Sequence, residues 1–407
     1  FVISNIKISI TKLMNFQIPQ LTIRQITNTR FLAILYLVAM CVQIVFIEGP
    51  GVSLVKVALM ALTPLIFLLK CPYMSKALIW ALLFWMVCYF CASFQEKIRF
   101  SSVGYLGMFV FSYVLFYTLV HKGAFTLNAF IRLIKRLVLA FSIVLVLQQL
   151  CLLIGIRNMP LINLSNQFFL SLNKLPSLTL EPSHTARILT VMMLAYLRCQ
   201  ELKIGHKLEL KELFGPEHKW ISIAFLWAML TMGSGTAFIG LALLGLYFVQ
   251  RRTIMYIVPL FVGLFFLGQY MELEQMDRAV RVARATMTGN TNEIQQEDGS
   301  AAARVVPLVN TFIKTDLTKK QSWIGKGILD KESAFKIRRE SRKIAVVDQF
   351  GLLGLIMSLI LVYGCMIKRF FSLETLIYVV LLGFSLGNIA YSWGCMMMFT
   401  VVCYFQE

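Results

Sequence analysis

The chain has 407 residues, of which 58% are hydrophobic and 14% charged, and its mean hydropathy is +0.74. Soluble globular domains carry about 25% charged residues, so the composition excludes that class and points to an all-α polytopic membrane protein, a single integral membrane domain over 1–407. The formal net charge of +19 then bears on sidedness, and no nucleic-acid partner is expected of such a chain.

A bilayer core of about 30 Å takes roughly 17–25 apolar residues per helix. Apolar runs bounded by charge, Gly and Pro give about twelve spans, at 31–47, 52–69, 77–93, 103–120, 137–156, 184–198, 220–233, 235–250, 254–270, 345–367, 375–388 and 390–405. The mostly polar stretch before the first span carries Lys7, Lys12, Arg24 and Arg30 and no secretory signal pattern, so the first span reads as an uncleaved anchor. The run "ISIAFLWAMLTMGSGTAFIGLALLGLYFVQ" is too long for one ordinary span and divides at Gly233, Ser234 and Gly235; one long tilted helix is the alternative. Cytoplasmic loops are enriched in Lys and Arg when short, whereas long loops translocate largely regardless of charge. With both termini inside, inner segments hold 19 of the 39 Lys and Arg, short outer segments five and one long outer loop 14, with Lys56 inside a span. That distribution favours twelve spans.

The nine Cys fall in spans or near the inner face, a placement that points away from disulfides and from a zinc site. Cys88 and Cys91 form a CxxC without a second ligand pair and read as packed or lipid-facing thiols.

Two outer segments carry most of the remaining information: a first loop at 157–183, and a long loop at 271–344 between the ninth and tenth spans. The latter holds 14 basic and 10 acidic residues, more polar mass on one side than a channel or carrier needs, and the hydropathy shows no internal repeat of a common transporter kind. Arg278, Arg281 and Arg284 recur every third residue, so on a helix they form one slowly rotating basic stripe. A second amphipathic helix is expected from Ser300, with Arg304 near its start. Such arginines either face solvent and anionic headgroups or hold a phosphate bidentately, for which a planar guanidinium suits better than Lys.

The stretch "PSLTLEPSHTARILTVMMLAYL" places Glu181, His184 and Arg187 at three-residue spacing ahead of an apolar run. Pro182 is favoured at a first helical position, which makes Glu181 the N-cap. A capped helix start accounts for Glu181 alone. His184 and Arg187 lie where the next residues are apolar, and ionisable groups at the edge of a span usually face a cavity or a partner. A carboxylate and an imidazole on one face have the chemistry of a general base and its orienter.

An outer "EPSH-A-R" segment opening a span, a "T-x-G-S-G-T" turn between two short spans, a long outer loop with "GS-A-A-A-R" and "W-I-G-K-G", and a following "D-Q-F-G-L-L-G-L" span together resemble the O-antigen polymerase family of the Wzy type, which shares a superfamily with the O-antigen ligases. The motifs cover roughly residues 175–365, and the rest of the chain is similar by topology. The resemblance implies a GT-C-like membrane glycosyltransferase in the bacterial inner membrane, its active site facing the periplasm, that needs no metal or other cofactor. It implies as partners an undecaprenyl-diphosphate-linked glycan as donor and as acceptor, membrane lipid, and a protein that regulates chain length. Carried over by motif position, Glu181 and His184 are the catalytic candidates, with Glu181 preferred as base and Asp348 third. Arg187, Arg278, Arg281, Arg304 and Lys326 are candidates for holding the diphosphate. Ligases of the superfamily are expected to carry a His about eleven residues before the "G-L-L-G" span, where this chain has Glu340; that departure favours a polymerase. A ligase and a polysaccharide or lipid flippase are the alternatives.

Overall fold

The computed structural model describes residues 23–43, 53–70, 74–95, 100–156, 159, 162–164, 174–249, 299–327, 343–384 and 386–407, with the backbone alone for 23–28, 54–55, 70 and 299–305. They form α1 (Ile23–Cys41), α2 (Leu54–Lys70), α3 (Lys76–Ser93), α4 (Phe100–His121), α5 (Leu127–Leu153), α6 (Pro182–Ile204), α7 (Leu210–Leu213), α8 (Lys219–Thr231), α9 (Gly235–Phe248), α10 (Gly299–Phe312), α11 (Lys320–Ile324), α12 (Ala345–Cys365), α13 (Leu373–Val380) and α14 (Ala390–Gln406). Among the described residues the architecture is all-helical. Three helices, α3, α4 and α12, are long and apolar enough to cross a membrane. Thr29–Cys41, Lys56–Leu69, α8 and α9 are apolar but shorter, and α5 and α6 are longer but carry charges.

Local sequence explains most boundaries. Thr126 accepts a hydrogen bond from the Ala129 N–H at 3.4 Å and starts α5 well ahead of its apolar run. Arg132, Lys135 and Arg136 mask that first part in a hydropathy reading, although Phe130, Ile131 and Ile134 on the same turns are buried. Between α8 and α9 the chain breaks as the Gly-Ser-Gly signal predicts, with Gly233 at φ 71° and Ser234 extended. The two helices fold back on each other: a Cβ added to Gly240 would lie 3.1 Å from the Met229 Cε, whereas one straight helix would separate these residues by about 16 Å.

Contacts between helix ends sort into two groups. At one end the Gln43 N–H bonds the Leu178 carbonyl at 2.8 Å, Gln95 bonds the Gln349 carbonyl at 2.6 Å and Asn388 bonds the Ser102 carbonyl at 3.3 Å. At the other, His121 lies 3.9 Å from Glu407, Lys135 bonds the Glu217 carbonyl at 3.0 Å and Arg198 bonds Glu374 at 2.7 Å. The long helices therefore run alternately up and down, with α6 at the centre packed against α5, α9 and α14.

The expected eleventh span, 375–388, is not one continuous helix. α13 has eight residues, about 12 Å of rise, and the chain after it turns through Gly383 at φ 66° and Phe384 at φ 56°. Phe384 is held there by packing, its ring stacked on Tyr378 at 5.3 Å and edge-on to Phe312 of α10 at 5.8 Å. The expected ninth span, 254–270, lies outside the described residues.

Candidate functional site

The approach to α6 is a buried, non-helical segment. Leu175, Ser177 and Thr179 are at most 2% exposed, and the segment reaches down to Phe141, near the middle of α5, whose carbonyl accepts from the Ser177 hydroxyl at 2.6 Å. Irregular backbone at such depth is tolerated only when protein groups satisfy it. Here the Gln148 amide bonds both the N–H and the carbonyl of Ser177 at 2.9 and 3.1 Å. Asn163 donates to the carbonyls of Gln43, Ser177 and Thr179, and the Thr179 hydroxyl bonds that of Thr185 at 2.8 Å. This frame fixes where Glu181 emerges.

Glu181 is the N-cap of α6 with Pro182 following, as the sequence predicts, yet its side chain makes no capping hydrogen bond. The exposed carboxylate turns instead to Ser183 at 3.2 Å and to the His184 Nε2 at 3.5 Å. His184, mostly buried, has its ring 4.4 Å from that of Tyr391 on α14. One turn deeper, the Arg187 guanidinium donates to the Tyr391 hydroxyl and lies 5.4 Å from the ring centre. Tyr391 thus joins two of the three ionisable groups. The His184 Nδ1 and the Arg187 Nε are buried and have no hydrogen-bond partner among the described residues. Buried polar groups are nearly always satisfied, and among the described residues these two atoms are exceptions to that rule.

The two motifs of the later chain meet each other. The Trp323–Gly327 turn lies against the start of α12, where Gly351 breaks the helix at φ 69° and ψ −169°. The approach is backbone to backbone: a Cβ on Gly325 would stand 2.6 Å from the Gln349 carbonyl. Gln95 at the end of α3 bonds the carbonyls of Ile324 and Gln349 at 2.7 and 2.6 Å. Lys326 sits on this turn with its side chain exposed and its N–H on the Asp348 carbonyl at 2.8 Å. The Asp348 carboxylate accepts the Lys343 N–H at 2.9 Å, so it anchors the start of α12. Burial, opposed by Asp348 and reinforced by Lys326, holds the Lys343 ammonium below its ordinary range.

Arg304 lies on α10, the amphipathic helix expected from Ser300, which runs Gly299–Phe312; its side chain is outside the described set, as are Arg278 and Arg281 altogether. α10 is tied to the same end of the bundle, since the Thr311 hydroxyl accepts the Ile344 N–H at 2.9 Å and Phe312 meets Phe384, seven residues before Tyr391. Of the expected residues, then, Glu181, His184 and Arg187 are together, and Lys326 and Arg304 sit on elements docked around the first turns of α12. No group of three His, Cys, Asp or Glu side chains with a metal-binding arrangement occurs among the described residues. The residue that sequence reasoning missed is Tyr391. Its only signal was the polar trio Asn388, Tyr391 and Ser392 at the start of a span. No protein-family model matches this chain, and neither a curated protein nor a solved structure matches it.

Proposed function

We propose that the chain is a membrane glycosyltransferase, crossing the bacterial inner membrane about twelve times in a GT-C-like arrangement, that polymerises undecaprenyl-diphosphate-linked oligosaccharide repeat units on the periplasmic side. The resemblance of its motifs to the O-antigen polymerase family supports this reading. The observation that carries it is the exposed Glu181 carboxylate backed by His184 at 3.5 Å, above an Arg187 whose Nε has no partner among the described residues.

In this reading an acceptor sugar hydroxyl attacks the anomeric carbon of the donor, Glu181 takes its proton, and the bond to the diphosphate breaks, leaving the carrier diphosphate. His184 holds the carboxylate in position, and Arg187 neutralises charge that builds on the leaving oxygen. Oriented charge of this kind, placed before the reaction begins, commonly contributes about 3–4 kcal/mol to catalysis. Arg304 adds a guanidinium from the outer loop.

The test uses purified protein and a single lipid-linked repeat unit. The wild type is expected to build a polymer ladder with and without EDTA, and Glu181→Gln and Arg304→Ala are each expected to abolish it while the protein stays folded and inserted. Long chains formed by both variants would remove the cleft assignment. In cells, a deletion strain should keep a single repeat on lipid core; loss of all attached repeats would point instead to a ligase or a flippase.

A further inference from the structure

The chain between α10 and α12 presents a surface that the site above does not use. Phe312, Ile313 and Leu317, at and just after the end of α10, are each at least 60% exposed, and Trp323 is exposed as well. Soluble surfaces carry such side chains singly; here four stand within twelve positions. The turn that presents the last two is a built structure. Asp316 accepts from the Thr318 N–H at 3.0 Å, and the Trp323 indole closes the turn on the Leu317 carbonyl at 2.9 Å.

The place of this turn relative to a bilayer follows from α3, which is long and apolar enough to cross a membrane. Leu83, Met86, Phe90 and Phe94 form an exposed apolar stripe along it at three- and four-residue spacing, so they share one side of the helix. On a crossing helix such a stripe meets acyl chains. Phe94 is its last member, and the Lys320 ammonium lies 5.6 Å from the centre of that ring. The next residue, Gln95, bonds the Ile324 carbonyl at 2.7 Å. The turn therefore stands where the lipid-facing stripe runs out, at the depth of the headgroups.

Charge selects the kind of lipid. Residues 312–326 hold four Lys, at 314, 319, 320 and 326, against one acid, Asp316. All four Lys side chains are exposed, and the Asp316 carboxylate is already held by the Thr318 hydroxyl and by Lys319 at 3.3 Å. Exposed apolar and Trp side chains beside Lys bind an interface by apolar burial together with attraction to anionic lipid.

We propose that the turn at 317–323 is a docking surface for anionic phospholipid headgroups at this end of the bundle. Leu317 and Trp323 enter among the lipids beside Phe94, and Lys319 and Lys320 meet the phosphates. The inference stands apart from the polymerase reading. Its consequence is positional: α10, which carries Arg304, ends five residues before Leu317, so the docked turn holds that helix close to the membrane surface.

The test places the full chain in phosphatidylcholine nanodiscs, with and without phosphatidylglycerol, and quenches Trp fluorescence with lipids brominated near the top of the acyl chain. The contribution of Trp323 is the difference between the wild type and Trp323→Phe. It is expected to be quenched by the brominated lipid, at least about twofold more strongly when phosphatidylglycerol is present, and the paired change Lys319→Gln with Lys320→Gln should remove that increase. If the paired variant does not fold, Lys320→Gln alone is read by the same criterion. A Trp323 quenched by aqueous acrylamide and not by brominated lipid overturns the proposal. Shielding from both quenchers means that protein covers this surface, and overturns it too. Equal quenching with and without phosphatidylglycerol overturns the anionic headgroup as the partner.

Discussion

Tyr391 presents one hydroxyl to Arg187 and one ring face to His184, so its two functions separate in a single substitution. Tyr391→Phe keeps the ring and removes the acceptor. A buried donor left without its acceptor costs about 1–3 kcal/mol, and the variant is expected to polymerise roughly tenfold more slowly, or worse, with His184 still seated. Undiminished polymer length and rate in a reconstituted assay would show that Arg187 needs no such support. At this scale the sequence was partly readable. Glu181 and Pro182 announce a helix start because capping depends on neighbours in the chain. The partner of Arg187 stands 204 residues further on, and nothing local in "NIAYSWGC" selects Tyr391 above Ser392. The depth reached by Ser177 was equally hidden, since it depends on Gln148 and Asn163 turning their amides inward.

Among the elements, the break in α12 is the most constrained. Gly351 has a positive φ, and a Cβ there would stand 2.5 Å from the Ile324 nitrogen, so Gly351→Ala meets both backbone strain and overlap. Each effect is worth roughly 1–3 kcal/mol, and the variant is expected to lose about 3 kcal/mol or more. Gly383 has a similar φ of +66° with nothing within 4 Å, which makes Gly383→Ala the matched control at about 1 kcal/mol. Thermal unfolding in detergent compares the two, and equal losses would show that the docking of the Trp323–Gly327 turn contributes nothing. Hydropathy reads through Gly351 because Phe350 and Leu352 flank it and the apolar run continues beyond it. What interrupts the helix is a turn from a different part of the chain, and composition carries no record of that. The α8–α9 break was readable for the opposite reason: three consecutive small residues place the signal in the segment itself. α13 was misjudged because apolarity continues to Leu386 while helical geometry stops at Val380.

For the molecule as a whole, the alternation of helix ends followed from charge and apolar length, whereas the contacts that lock those ends did not. Arg198 on α6 reaches Glu374 on α13, 176 residues further on, at 2.7 Å, and Glu201, one turn along its own helix, at 2.9 Å, a half-buried network. Which end faces the periplasm is open to a direct measurement. With the nine native cysteines replaced, Lys326→Cys should react with a membrane-impermeant maleimide in intact spheroplasts, and Glu217→Cys, at the opposite end, only after lysis; the reverse pattern would invert the proposed orientation. The buried segment before Glu181 has a further consequence, for the order of assembly. Its Leu175 N–H is bonded to the Met232 carbonyl at 3.2 Å, and the Arg187 donor waits for Tyr391. During synthesis the segment cannot be seated until the α8–α9 hairpin has emerged, nor the guanidinium satisfied until α14 is in place. A nascent chain stalled before α14 would therefore carry Glu181, His184 and Arg187 with the guanidinium still lacking its hydroxyl acceptor.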